Sequence, residues 1–83
     1  MKTIYKYKII DEGARMPEGA KILSVGLQDD KMMLWALVDT DRPVEMRLIS
    51  IIGTGWKLDD MTFGRFIGTV FQGPFVWHVF EGV

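Results

Sequence analysis

The sequence predicts an all-β domain: about six antiparallel strands in a small barrel or sandwich, with at most one short helical turn. Three observations lead there. Apolar residues alternate or cluster in short runs rich in Val, Ile, Tyr, Phe and Trp, the period of strands rather than helices. Gly, Pro and Asp punctuate those runs at short intervals. At 83 residues the chain forms one domain, spanning 1–83, too short for a second core.

The elements follow in order. Residues 3–10 form the first strand run. The connection D-E-G-A-R-M-P-E-G follows, and its Gly13, Pro17 and Gly19 interrupt any regular pattern. Residues 20–28 read as a half-buried strand, with Leu23, Val25 and Leu27 on one face and Ser24, Gly26 and Gln28 on the other. Asp29-Asp30 is the turn of a tight hairpin leading into residues 31–39. D-T-D-R-P then reverses the chain into 44–52. There Val44, Met46 and Leu48 share one face and Ile49 and Ile51 the other, so the inward side is expected to change near Leu48, by a bulge or a bend. Residues 53–64 form a long loop, with one helical turn expected around 59–63. Two final strands, 66–71 and 75–81, are joined by the Q-G-P turn. Short connections favour an antiparallel meander. The alternative architecture is a two-layer α+β domain, with its helix at 11–20 or 59–64.

Composition excludes several functions. With no Cys and a single His, the common zinc sites have no ligand set. A hydrolytic triad would have to join His78 to Ser24 or Ser50, and neither serine lies in a strained Gly-rich elbow. The pairs Asp29-Asp30, Asp39 with Asp41, and Asp59-Asp60 lack the regular array of oxygen ligands found in a calcium loop; turn formation and solubility account for them. No catalytic residue, metal ligand or cofactor is therefore assigned, and the protein is expected not to be an enzyme. A net charge of −1 disfavours nucleic acid as the main partner, although Lys2, Lys6 and Lys8 share one strand face. The N-terminal M-K-T-I-Y-K-Y-K has no signal-type apolar run after it, and no stretch reaches membrane-spanning length. The expected compartment is the cytoplasm, with no membrane partner.

What remains is binding. Hydrophobic residues make up 48% of the chain. In so short a domain this surplus completes the core, closes a homo-oligomer or leaves an adhesive face. Aromatics concentrate late in the chain, at Trp56, Phe63, Phe66, Phe71, Phe75, Trp77 and Phe80. The last strand is apolar on both sides, Phe75, Trp77 and Val79 against Val76, His78 and Phe80, so one or two of its rings are candidate anchors for a partner. Gly53-Thr54-Gly55-Trp56 is the second candidate element: an ordinary turn capped by an aromatic, or a backbone nest for an anion. The candidate interface or pocket is thus Gly53, Thr54, Gly55, Trp56, Phe75, Trp77 and His78, with His78 read first as a hydrogen-bonded structural imidazole.

The segments M-K-T-I-Y-K-Y, P-E-G-A-K-I-L-S-V, L-W-A-L-V-D, G-T-G and V-W-H-V-F-E, in this order, resemble short proteins encoded by tailed bacteriophages and prophages. The likeness covers nearly the whole chain and brings no catalytic residues with it. It implies a small accessory viral protein made in the host bacterial cytoplasm that binds, and in some cases inhibits, a bacterial host protein. The alternatives are a small-ligand-binding barrel and a purely structural, self-associating protein.

Overall fold

Two short turns shape the protein. Asp29 and Asp30 both occupy the left-handed region, at φ 54° and 61°, and Gln28 pairs directly with Lys31. That is the backbone of a two-residue type I′ hairpin, whose twist matches the strands it joins. Gly73, at φ 56°, precedes Pro74, and Gln72 pairs with Phe75. A glycine at positive φ followed by a proline fixed at negative φ suits a type II′ hairpin.

The computed structural model describes residues 1–58 and 64–82. Its strands are β1 (Lys2–Lys8), β2 (Gly13–Pro17), β3 (Lys21–Gln28), β4 (Lys31–Asp39), β5 (Val44–Gly53), β6 (Arg65–Gln72) and β7 (Phe75–Glu81). All pairings are antiparallel. They build a three-stranded sheet, β1-β4-β3, packed on a four-stranded sheet, β2-β5-β7-β6. The all-β class holds, and of the two forms expected the protein takes the sandwich-like one. The order is not a simple meander: β3–β4 and β6–β7 are hairpins, but the chain changes sheet three times, after β1, after β2 and after β4.

β2 is the strand that sequence reading leaves inside an irregular connection, and it also replaces the alternative helix at 11–20. Its alternation spans only Ala14-Arg15-Met16, between a glycine and a proline, too short to register as a period. Pairing with the first half of β5 nonetheless buries Ala14 and Met16 completely. They join Ala20, Ile22, Leu34, Ala36, Val38, Ile49, Val70 and Val79 in one core between the sheets. The expected helical turn at 59–63 lies outside the described residues; among the described residues there is no helix.

The side changes fall elsewhere than expected. Along β5 the alternation is unbroken: Val44, Met46 and Leu48 are 62%, 50% and 57% exposed, while Ile49 is buried and Ile51 packs on the core. The inward side at the start of β5 is instead occupied by Glu45 and Arg47. Arg47 reaches across the sandwich to donate to the Ala20 carbonyl (2.7 Å) and pairs with Glu81 (2.8 Å). The bulges are at Leu23 in β3, between the pairs Ile22–Ala36 and Ser24–Trp35, and at Ile67 in β6. An extra residue at Leu23 leaves it half exposed and lets Ile22 point inward ahead of Val25 and Leu27. Leu23 thus does not share the inward face expected of it.

Candidate binding surface

Strand β7 and the loop after β5 bring most of the candidate residues together. Gly53 ends β5 with no Cβ; one placed there would stand 2.6 Å from the Trp56 indole. That missing atom lets Trp56 fold back over the strand end. Trp56 meets Trp77 edge to face, with ring centroids 5.6 Å apart, and Phe75 stacks on Trp77 at 5.5 Å. Such pairs contribute beyond their buried area. Trp77 Nε1 donates to Gln72 Oε1 (3.0 Å), and Gln72 Nε2 donates to the Asp30 carbonyl and carboxylate (both 3.1 Å). The chain of bonds fastens the β6–β7 hairpin tip to the β3–β4 tip. Gly53, Thr54, Trp56, Phe75 and Trp77, with Pro74 and Val76, line a depression of about 380 Å³ at this end.

Gly55, at φ 86°, only turns the chain. Two of the three amides an anion nest would need are already engaged: Thr54 N–H donates to the Val76 carbonyl (3.0 Å) and Trp56 N–H to the Gly53 carbonyl (3.2 Å). The loop is therefore an aromatic-capped turn, and the nest reading is set aside.

His78 is separated from the cluster because it lies on the opposite face of β7 from Phe75 and Trp77. Thr54 Oγ1 is 2.7 Å from its Nε2 and Thr69 Oγ1 is 3.2 Å from its Nδ1. A neutral imidazole donates through one nitrogen and accepts through the other, and hydroxyls suit both roles. Ser24 lies on the other sheet and Ser50 beside Phe80 on β5. Asp39 and Asp41 bind the amine of Met1 (3.3 and 2.8 Å), and Asp29 and Asp30 form their turn. Among the described residues no three acidic or His side chains come close enough to hold a metal. Asp59, Asp60 and Phe63 lie outside the described residues.

The register shows a surface that sequence reading missed. Phe66 pairs with Phe80, Thr69 with His78, and Phe71 with Val76; Ile52 also pairs with His78 and Ser50 with Phe80. Directly opposed residues share a face. The outer side of the four-stranded sheet therefore carries Val44, Met46, Leu48 and Ile52 from β5, Val76 and Phe80 from β7, and Phe66 and Phe71 from β6. Phe66 is 52% exposed and Phe71 73%; Phe66 meets Phe80 edge to face at 5.4 Å. A solvent-facing side of an antiparallel sheet is ordinarily polar. The one signal in the sequence was the apolar content of both faces of β7, and it was legible only as an ambiguity between core and interface.

Among the described residues no helix is long and apolar enough to cross a membrane. A family model described as a domain of unknown function (DUF7352) matches residues 1–83. No curated protein and no solved structure matches the chain.

Proposed function

The chain belongs to the DUF7352 family of domains of unknown function, and from that premise we propose that it is a non-enzymatic accessory protein that binds a bacterial host protein through the outer side of its four-stranded sheet. The observation that carries this reading is the exposed apolar side chains of that outer face, Val44, Met46 and Leu48 on the half of β5 that pairs with β2 and Phe66 and Phe71 on β6, each at least half exposed, on either side of a polar row of Ser50, Thr69 and His78. Exposed apolar surface gathered on one face of a small protein marks an interaction site, and aromatic rings are the usual anchors of such sites. The resemblance to short bacteriophage proteins supports the choice of a bacterial protein as partner and of the bacterial cytoplasm as the place.

Retention of host proteins from bacterial lysate at physiological salt tests it. The wild-type chain is expected to retain a defined protein that Phe66→Ser/Phe71→Ser loses and Leu37→Ser, on the other sheet, keeps. Equal retention by all three chains, or none by the wild type, contradicts the reading.

One further observation favours a second reading. The depression of about 380 Å³ walled by Trp56, Phe75 and Trp77 is within the size range of small-molecule sites. A planar ligand there would quench tryptophan fluorescence and leave Phe66→Ser/Phe71→Ser unaffected.

A further inference from the structure

The other sheet has an outer face on which lysines alternate with exposed apolar side chains, among them Ile4, Leu23 and Leu37. By register, Lys2, Lys6 and Lys8 of β1, Lys21 of β3 and Lys31 of β4 all point to its solvent side, and all are exposed. At the centre, Trp35 of β4 stands directly between Lys6 and Ser24. A Cβ at Gly26 would be 3.5 Å from the indole Cζ3. The benzene edge of Trp35 thus leans over a glycine toward β3, half-buried on a floor shared with Met33 and Leu37. The only carboxylate at an outward position of these strands is Asp39, at the far end, and the Met1 amine holds it. The other acidic groups near this sheet lie at its ends: Asp29 and Asp30 in the β3–β4 turn, Asp41 after β4, Glu18 beside Lys2 and Lys21, and Asp11 beside Lys8.

Net charge therefore misrepresents this surface. At physiological salt a fixed charge is felt over about 8 Å, so a polyanion lying on the sheet meets the lysines rather than the chain's overall −1. The β1 lysines run along about 20 Å of strand. Lysines tracking a backbone, with an aromatic ring on which a base can stack, are the elements of single-strand recognition. We propose that the outer face of the three-stranded sheet is a binding site for single-stranded nucleic acid, with the lysines on the phosphates and Trp35 stacking on a base. The site is independent of the apolar face on the opposite sheet.

Fluorescence anisotropy with a labelled oligothymidylate of roughly 20 nucleotides, titrated with the full chain between about 50 and 200 mM salt, tests it. Binding is expected with a log–log salt slope of up to about −3.5, the value for five lysine–phosphate pairs on a single strand. Lys6→Gln/Lys8→Gln is expected to reduce that slope by about 1.4. Trp35→Leu is expected to weaken binding about tenfold while Trp35→Phe retains it. Phe66→Ser/Phe71→Ser, on the other sheet, should bind as the wild type does. The lysine variant removes only exposed groups, so it stays informative even if a Trp35 variant is poorly folded. Absence of binding at about 50 mM salt overturns the proposal. So does heparin or duplex DNA binding as tightly as the single strand, or Trp35→Leu binding as tightly as the wild type.

Discussion

Glu81 shows how single residues hold the two layers together. Its Oε1 is buried and receives no hydrogen bond of good geometry, yet it lies 2.8 Å from Arg47 Nη2 and 3.8 Å from Arg65 Nη2. Charge pairing is what compensates it. The two arginines in turn donate to the Ala20 and Ile22 carbonyls at the edge of the other sheet. Glu81→Gln keeps the shape and removes the charge, leaving the largely enclosed Arg47 with only the longer pairing to Glu45 (3.7 Å); chemical denaturation is expected to show a loss of about 1–3 kcal/mol. Gly53→Ala puts a methyl group against the Trp56 indole. Because Trp56 is exposed and can swing away, the expected stability loss is under about 1 kcal/mol, but the Trp56–Trp77 contact breaks and tryptophan emission shifts. Asp39 has its carboxyl held below the ordinary 3.8, first by the Asp41 backbone N–H and then by the Met1 ammonium. A lowered carboxyl contributes stability that is complete above its ordinary value and is lost as pH falls through the folded-state value. A carbon-detected NMR titration should place the Asp39 midpoint below 3.8; a midpoint at or above it contradicts the contact.

Elements differ in how much of them was legible. Both hairpins could be read directly, because Asp-Asp and Gly-Pro between strand runs express local φ preferences that no distant contact needs to supply. Asp29→Val, which forces a β-branched residue to φ 54°, is expected to cost about 1–3 kcal/mol, measurable as a shift in the denaturation midpoint. The bulge at Leu23 was not legible. It depends on where β4 places Ala36 and Trp35, a non-local register that the uninterrupted alternation of residues 23–28 conceals. Nor was β2, whose regularity comes from β5 rather than from its own sequence. Met16→Ala tests whether that short strand belongs to the core: a buried side chain there predicts a loss of about 2–5 kcal/mol, whereas an irregular surface connection would lose almost nothing.

At the scale of the molecule, the sandwich has two unlike outer faces on one shared core. The concentration of aromatics after residue 56 was visible in the sequence, and so was the gathering of Gly53, Trp56, Phe75 and Trp77. Which side of β5 faces water was not. Val44-Glu45-Met46-Arg47-Leu48 reads as a strand with its apolar side inward, and only Glu81, 34 positions after Arg47, explains the reversal. The same reversal converts the apolar surplus from core into surface. The central claim, that this surface docks a bacterial protein, is tested most directly by photocrosslinking in bacterial cells with a benzoylphenylalanine in place of Phe71 or, as the control on the other sheet, Leu37. An adduct with a bacterial protein of defined mass at Phe71 and none of that mass at Leu37 is the expected result; adducts at Phe71 only with a second copy of this chain, or the same adduct from both positions, would contradict it.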